Sequence, residues 1–165
     1  INPKESEDTK LAEEVLATFG LEEGPWRLDP TAHPFCTSFS NRDVRLTTRY
    51  HDDNLESIWS TLHEAGHGLY AHGIADSLLR TPLGGAPSLG VNESQSRTWE
   101  NLVGRSRAFW DHRYWPLQET FPSFASVELD DFVRAINRAE PGPDCGHGFG
   151  GVAASTVDHP LDLAL

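Results

Sequence analysis

One short segment of the sequence has residue types and spacing that suit metal chemistry, His63-Glu64-Ala65-Gly66-His67. Residues four positions apart lie on one face of a helix, so the imidazoles of His63 and His67 can reach one ion. Glu64 projects beside His63, where its carboxylate can contact a water molecule without binding the ion. Such a match also arises by chance, and the alternative is two histidines on a buried helix face. The amphipathic helix around the motif favours the metal site.

A third ligand is needed, because a catalytic zinc ion takes three protein ligands and keeps one open position. Glu93 is the next candidate, since it stands near the start of a second helix after one loop. Glutamate also stabilises the positive end of a helix, and both roles can hold at once. His72 is off the face of His63 and His67, and we expect it at the surface near the end of the helix. Four further histidines have no partner that the sequence identifies, and we expect each to be solvated or structural. They are His51, His112, His147 and His159.

The two helices that must position these residues can be placed from apolar periodicity. A stripe of apolar residues runs through Leu55–His72, with Asn54 as a cap and Gly73 as the end. A loop rich in proline and glycine, Thr81–Gly90, separates it from a second helix, Asn92–Tyr114. Gly66 and Gly68 leave room for close packing against this first helix.

The remaining elements are two helices and a β-hairpin. Helices are predicted over Asp8–Phe19 and, with Ser126 as cap, over Val127–Arg138. Thr37–Phe39 and Val44–Tyr50 are predicted as strands joined by a polar turn.

The fold class that follows is mainly α, with a small β-hairpin or sheet beside the metal site. The proline-rich segment Gly24–Pro34 is predicted as a loop. We expect one helical domain over 1–140. A glycine- and proline-rich tail over 141–165 is expected to be loosely structured.

The composition limits the partners. Of the 165 residues, 38% are hydrophobic and the net charge is −12, and such an acidic surface repels phosphate backbones, so no nucleic acid partner is expected. No apolar run approaches the roughly 20 residues of a membrane span. The acidic N-terminus does not resemble a secretory signal, and two distant cysteines favour the cytoplasm. The absence of methionine predicts a processed, trimmed or partial chain.

Four segments match, in order, the motifs of a known family. They are His33-Pro34-Phe35, Asp43-Val44-Arg45-Leu46-Thr47, His63 to Tyr70, and Glu93-Ser94-Gln95-Ser96-Arg97 followed by Trp99-Glu100-Asn101. On these motifs the chain resembles the M32 carboxypeptidases, the carboxypeptidase Taq family, from about Arg27 to Arg138.

The resemblance implies a zinc- or cobalt-dependent enzyme that removes C-terminal residues from peptides with a free C-terminus. It also implies a helical gluzincin fold, a homodimer and one ion per chain. His63, His67 and Glu93 would be the ligands and Glu64 the general base, which takes a proton from water and passes it to the leaving amine.

A carboxypeptidase also needs a cation for the terminal carboxylate. Arg45, Arg49 and Arg97 are candidates, and His33 is a further candidate substrate contact. The alternative is that Arg45 or Arg49 pairs across strands, and that Arg97 pairs with glutamates on its own helix.

Several departures from the family pattern keep other functions open. Asn92 stands where the family usually has histidine, and Ala71 and His72 replace a Glu-Gln pair. Two later motifs, RxxAD with the family's expected carboxylate anchor and GxxQDxHW, do not occur. The main interpretation is a zinc metallocarboxypeptidase, and the alternative is a truncated zinc-binding domain that is weakly active or inactive. An aminopeptidase or endopeptidase, and a metal-free interaction protein, are further alternatives that the motifs disfavour.

Overall fold

A computed structural model describes residues 3–21, 24–50 and 55–138. These residues form a mainly helical structure with one small sheet, which confirms the fold class expected from the sequence. None of the described helices has the length and apolar character that a bilayer crossing requires. In chain order the elements are α1 (Pro3–Thr18), β1 (Trp26–Pro30), β2 (Phe35–Ser40), β3 (Asp43–Thr48), α2 (Glu56–His72), α3 (Leu89–Arg97), α4 (Arg107–Thr120) and α5 (Leu129–Ile136).

The sheet has three strands in the order β1-β3-β2. β2 and β3 pair antiparallel, with Ser40 opposite Asp43, so the predicted hairpin is confirmed. β1 pairs parallel with β3, and the prediction of a loop throughout Gly24–Pro34 was therefore wrong. Pro25 precedes the strand and Pro30 is its last residue, positions on an edge strand where the missing N–H of proline is tolerated.

Helix α2 lies on one face of the sheet. The side chains of Val44, Leu46 and Thr48 alternate along β3 and are completely buried. A Cβ atom at Gly68 of α2 would lie only 2.5 Å from the Trp26 ring, so glycine allows the helix to pack directly on the strands. Full burial of a side chain such as Leu46 contributes about 1.5–3 kcal/mol to the stability of the fold. Because this burial depends on contact with α2, it favours one orientation of the helix on the sheet.

A second core forms where the other face of α2 meets α1, α4 and α5. Its members are buried apolar residues from all four helices. They include Val15, Leu62, Trp110, Leu117, Phe132 and Ile136. The Trp110 ring packs edge-on against Phe132, with ring centroids 4.6 Å apart, and its Nε1 donates to the Gly104 carbonyl at 2.7 Å. The helix carrying the HExxH motif is therefore held between a sheet and a helical core.

The predicted continuous helix Asn92–Tyr114 is interrupted. α3 passes into a π-helical turn, Thr98–Val103, and a new helix starts at Arg107. Gly104 donates to the Trp99 carbonyl at 2.9 Å, and the Ser106 hydroxyl accepts from the Phe109 N–H at 3.2 Å. The serine cap begins α4, because it satisfies an N–H that has no partner within the helix. Apolar periodicity alone does not reveal this interruption.

The other helix boundaries differ by a few residues. α1 begins at Pro3, before the predicted Asp8. α5 is shorter than Val127–Arg138, and the predicted Ser126 cap was wrong, since Glu128 occupies the cap position without a side-chain hydrogen bond. The predicted cap at Asn54 and the tail 141–165 lie outside the described residues.

Candidate metal centre

Helix α2 presents both motif histidines on one side. His63 and His67 are about one turn apart, and their ring centroids are 5.0 Å from each other. Their side chains are mostly buried, with 20% and 18% of their surface exposed. The neighbouring helical core and sheet hold α2 in place, so the two rings are carried by a rigid element.

Glu93 comes from α3 and faces the same two rings. Its Oε2 lies 3.7 Å from His63 Nε2 and 3.5 Å from His67 Nε2. One donor atom from each of the three residues lies within 4.8 Å of the others. Ligands at about 2.1 Å in tetrahedral geometry are about 3.4 Å apart, so the separations of Glu93 from the imidazoles fit a divalent metal ion.

Two glycines allow α3 and the π turn that follows it to pack closely against α2. A Cβ atom at Gly66 would be 2.6 Å from the Ser96 Cα and 2.8 Å from the Gln95 carbonyl oxygen. Ser96 itself is completely buried. A Cβ atom at Gly104 would lie 2.5 Å from a methyl group of Leu62, so the end of the π turn also approaches α2 closely. The close packing predicted for Gly66 is confirmed.

The far nitrogen of each histidine ring is hydrogen-bonded. His63 Nδ1 donates to Glu100 Oε2 at 2.8 Å, and His67 Nδ1 donates to Asn92 Oδ1 at 3.1 Å. Each bond places the proton on Nδ1 and leaves the Nε2 lone pair directed at Glu93, which is the tautomer that a metal ligand needs. Sequence reasoning missed the roles of Glu100 and Asn92. The spacing of Glu93 and Glu100 on one helical face was the available signal for Glu100.

Arg97 lies between the two glutamates of this face. Its Nε donates to Glu93 Oε1 at 2.9 Å and its Nη1 donates to Glu100 Oε2 at 3.2 Å. The alternative that Arg97 pairs with glutamates on its own helix is therefore confirmed for both. Two of the three guanidinium nitrogens of Arg97, Nε and Nη1, are therefore committed to carboxylates of the protein.

Glu64 stands beside the three candidate ligands and is not part of that group. Its side chain is buried with 8% of the residue exposed. Burial raises the pKa of the Glu64 carboxyl, while the charges of His63 and His67 act in the opposite direction, and the net pKa is above the ordinary value. A carboxylate with raised proton affinity beside a metal site suits a proton acceptor.

Charges within the site also act on His63 and Glu100. Burial lowers the pKa of His63, but the hydrogen bond to Glu100 and nearby carboxylates outweigh it and the net pKa is raised. Burial raises the pKa of Glu100, but the hydrogen bond from His63 and the charge of Arg97 outweigh it, so its net pKa is lowered. Glu100 is thus held as a carboxylate that can accept a hydrogen bond from His63.

The candidate substrate contacts lie in different places. His33 is exposed just before β2, close enough for its charge to act on Glu64. Arg45 alternates with Val44 on β3, so it lies on the sheet face opposite α2, where it donates to Asp43 at 3.0 Å. Arg49 is exposed just after β3. The structure therefore does not bring Arg45 to the face that carries the metal-site candidates.

The other described histidines do not join the cluster. His72 is exposed at the end of α2, as expected, and its Nδ1 donates to the Asn41 carbonyl at 2.6 Å. His112 is exposed on α4. His51, His147 and His159 lie outside the described residues.

An HExxH helix with a glutamate from the next helix is the arrangement of a class of metallopeptidases. Comparison with known proteins agrees with this class. The chain belongs to the carboxypeptidase Taq (M32) metallopeptidase family, whose model matches residues 3–144. The implied cofactor is a divalent metal ion, and the donor set described above fits it.

The relatives are carboxypeptidases that are much longer than this chain. Thermostable carboxypeptidase 1 of Thermus thermophilus is 50% identical over 133 residues, which cover 80% of this chain and 26% of the relative. Carboxypeptidase 1 of Bacillus subtilis is 39% identical over 165 residues, which cover 99% of this chain and 32% of the relative. The crystal structure of an M32 carboxypeptidase from Deinococcus radiodurans superposes with a TM-score of 0.78 at 44% identity, covering 83% of this chain and 28% of that structure. The chain therefore spans about a quarter to a third of the length of these relatives.

Proposed function

We propose that this chain forms the zinc-binding part of a metallocarboxypeptidase that hydrolyses peptides with a free C-terminus. The observation that carries the proposal is the approach of His63, His67 and Glu93, whose donor atoms lie within 4.8 Å of one another. Two imidazoles and one carboxylate are a donor set of catalytic zinc sites, and cobalt can take the same ligands. One ion per chain would bind there.

In this proposal the chain's own residues divide the chemistry. A bound zinc ion would supply Lewis acidity and would lower the pKa of water at the site. Glu64 would accept a proton from the attacking water and donate it to the leaving amine, a role that its burial and raised pKa support. His33 and Arg49 would contact the substrate. The proposal also includes a homodimer in the cytoplasm, and both of these features stay predictions.

The experiment uses an N-blocked dipeptide with a free C-terminus and the same dipeptide as its C-terminal amide. We expect the zinc-loaded chain to hydrolyse only the free form, and removal of the metal with a chelator to stop the reaction. Equal hydrolysis of both forms would indicate an endopeptidase. Failure to bind zinc would overturn the proposal as a whole.

The short span of the chain favours a second candidate, a zinc-binding domain with little activity of its own. Most of the length of the relatives has no counterpart here. Loss of a cation that anchors the terminal carboxylate, on the order of 3 kcal/mol, would lower kcat/KM roughly a hundredfold. Assaying this chain beside carboxypeptidase 1 of Bacillus subtilis separates the candidates, since comparable kcat/KM values would exclude the inactive domain.

A further inference from the structure

Arg97 occupies an unusual position, because one guanidinium group bridges two carboxylates of the candidate metal centre. Its Nε donates to Glu93 Oε1 at 2.9 Å, and its Nη1 donates to Glu100 Oε2 at 3.2 Å. Glu93, Arg97 and Glu100 follow each other at roughly helical intervals, so they share one face of the α3 segment and the π turn. The planar guanidinium fork can engage both groups at once, whereas a lysine ammonium could not reproduce that geometry.

These contacts connect Glu93 to His63 through a continuous series of side chains. Arg97 occupies Oε1 of Glu93, which leaves Oε2 directed at the two Nε2 atoms, 3.7 and 3.5 Å away. Glu100 Oε2, the second partner of Arg97, also accepts the hydrogen bond from His63 Nδ1 at 2.8 Å. Arg97 therefore orients two carboxylates. One is the candidate metal ligand Glu93, and the other is Glu100, whose hydrogen bond sets the tautomer of His63.

We propose that Arg97 is a positioning residue for the metal centre, acting through Glu93 and Glu100, and not the cation that receives the substrate's terminal carboxylate. This inference rests on the proposed zinc site. The reason is that two guanidinium nitrogens of Arg97 already donate to Glu93 and Glu100. If Arg97 turned toward a substrate, each of these carboxylates would lose a hydrogen-bond donor. Groups that orient metal ligands affect metal affinity directly, typically by 10- to 100-fold.

The test measures the zinc affinity of the 165-residue chain by competition with a chelating dye. We expect Arg97→Met to weaken zinc binding about tenfold, at the lower end of that range because 57% of the Arg97 side chain is exposed. Arg97→Lys keeps the charge but loses the fork, so its affinity should fall between parent and Arg97→Met. The absorption spectrum of the cobalt-loaded chain should also change in Arg97→Met, because the orientation of Glu93 affects the coordination geometry.

The matched control is Arg107, which also bridges two carboxylates. It donates to Asp111 at 2.8 Å and contacts Asp130, and its side chain is 51% exposed, but it lies on α4 outside the metal centre. Arg107→Met should leave zinc affinity within about twofold of the parent value. This comparison separates loss of a bridging arginine in general from loss of the particular bridge at the metal centre.

A double-mutant cycle tests the connection itself. Glu100→Gln retains an oxygen that can accept from His63 Nδ1 but removes the charge that Arg97 contacts, and residues in one network give non-additive effects. We expect Arg97→Met to weaken zinc binding less in the Glu100→Gln background than in the parent. Full additivity would overturn the inference.

Two other outcomes separate this inference from the proposed function. Unchanged zinc affinity in Arg97→Met, with KM raised only for substrates with a free C-terminus, would overturn the inference and assign Arg97 to substrate binding. A parent chain that binds no zinc would overturn the proposed metal centre and the inference together.

Discussion

The helix pair α2–α3 and the three-stranded sheet use their charged residues in opposite ways. In the helix pair, donor atoms of His63, His67 and Glu93 lie close together, and side chains of α3 and the following π turn hydrogen-bond to both histidines. On the outer sheet face, Arg27 pairs with Asp29 and Arg45 pairs with Asp43, each two residues away on the same strand. In the helix pair, side chains from different elements meet at the candidate metal centre. On the sheet, each charged side chain is paired within its own strand.

This difference has a consequence for the two requirements of a carboxypeptidase. The three candidate donors of a metal site all lie within the described residues. Among the sheet arginines, the described contacts lead to neighbouring aspartates and do not lead toward Glu64 or the histidines. Under the proposed function, metal binding and recognition of a terminal carboxylate would therefore be separable, and variants in the two regions should have different effects.

The largest effect is expected from loss of a candidate ligand. His63→Ala removes one of three donors, so bound zinc should fall from about one ion per chain to near zero after dialysis. His112→Ala is the matched control, because His112 is an exposed histidine on α4. Elemental analysis of both variants measures the result, and equal zinc in His63→Ala and parent would show that the ion binds elsewhere.

Loss of the proposed base should come next in size. Glu64→Gln keeps the shape of the side chain but cannot accept a proton, so turnover should fall by about 10²- to 10⁴-fold while the zinc content is unchanged. Glu119→Gln on the exposed side of α4 is the control. Turnover of Glu64→Gln near the parental value would exclude the role of general base.

The two histidines could be predicted from sequence because local geometry places them together, whereas Glu93 was predicted from its place near the start of the next helix and from the family resemblance. Positions four apart share a helix face in any helix, and the hairpin β2–β3 was predicted because its partners are joined by a short turn. Strand β1 was missed because its parallel pairing with β3 joins distant segments. Glu100 was missed because its contact with His63 depends on the distance between α3 and α2, a property that no local pattern contains.

That distance can be tested at Gly66. Gly66→Ala gains about 1 kcal/mol of helix propensity, but its Cβ would lie 2.6 Å from the Ser96 Cα, and overpacking of this kind costs about 1–3 kcal/mol. The clash should prevail because it involves backbone atoms, which cannot rotate away. We expect lower stability in thermal melts and zinc affinity reduced about tenfold, since Glu93 would be displaced from the histidines.

The control for this variant is Gly90→Ala in α3. Among the described residues, a Cβ atom at Gly90 would have one neighbour within 4 Å, the Ser88 hydroxyl at 3.8 Å, which is an ordinary contact. Gly90→Ala should therefore keep or slightly raise stability. A Gly66→Ala variant as stable as the parent would mean that the two helices can separate without cost, and that their close approach does not set the geometry of the site.

The smallest effect is expected at Arg45, the first sequence-based candidate for the substrate anchor. Its guanidinium donates to Asp43 and lies 5.0 Å from the centre of the exposed Phe39 ring, on the sheet face opposite α2. Arg45→Met should therefore change the zinc affinity, the equilibrium constant of unfolding and KM each by less than about twofold, as usual for an exposed ion pair. The measurement is KM for the blocked dipeptide with a free C-terminus and for its amide. A tenfold rise in KM for the free form alone would restore Arg45 as the anchor. The sheet face would then take part in substrate binding, and the helix pair and the sheet would not have separate roles.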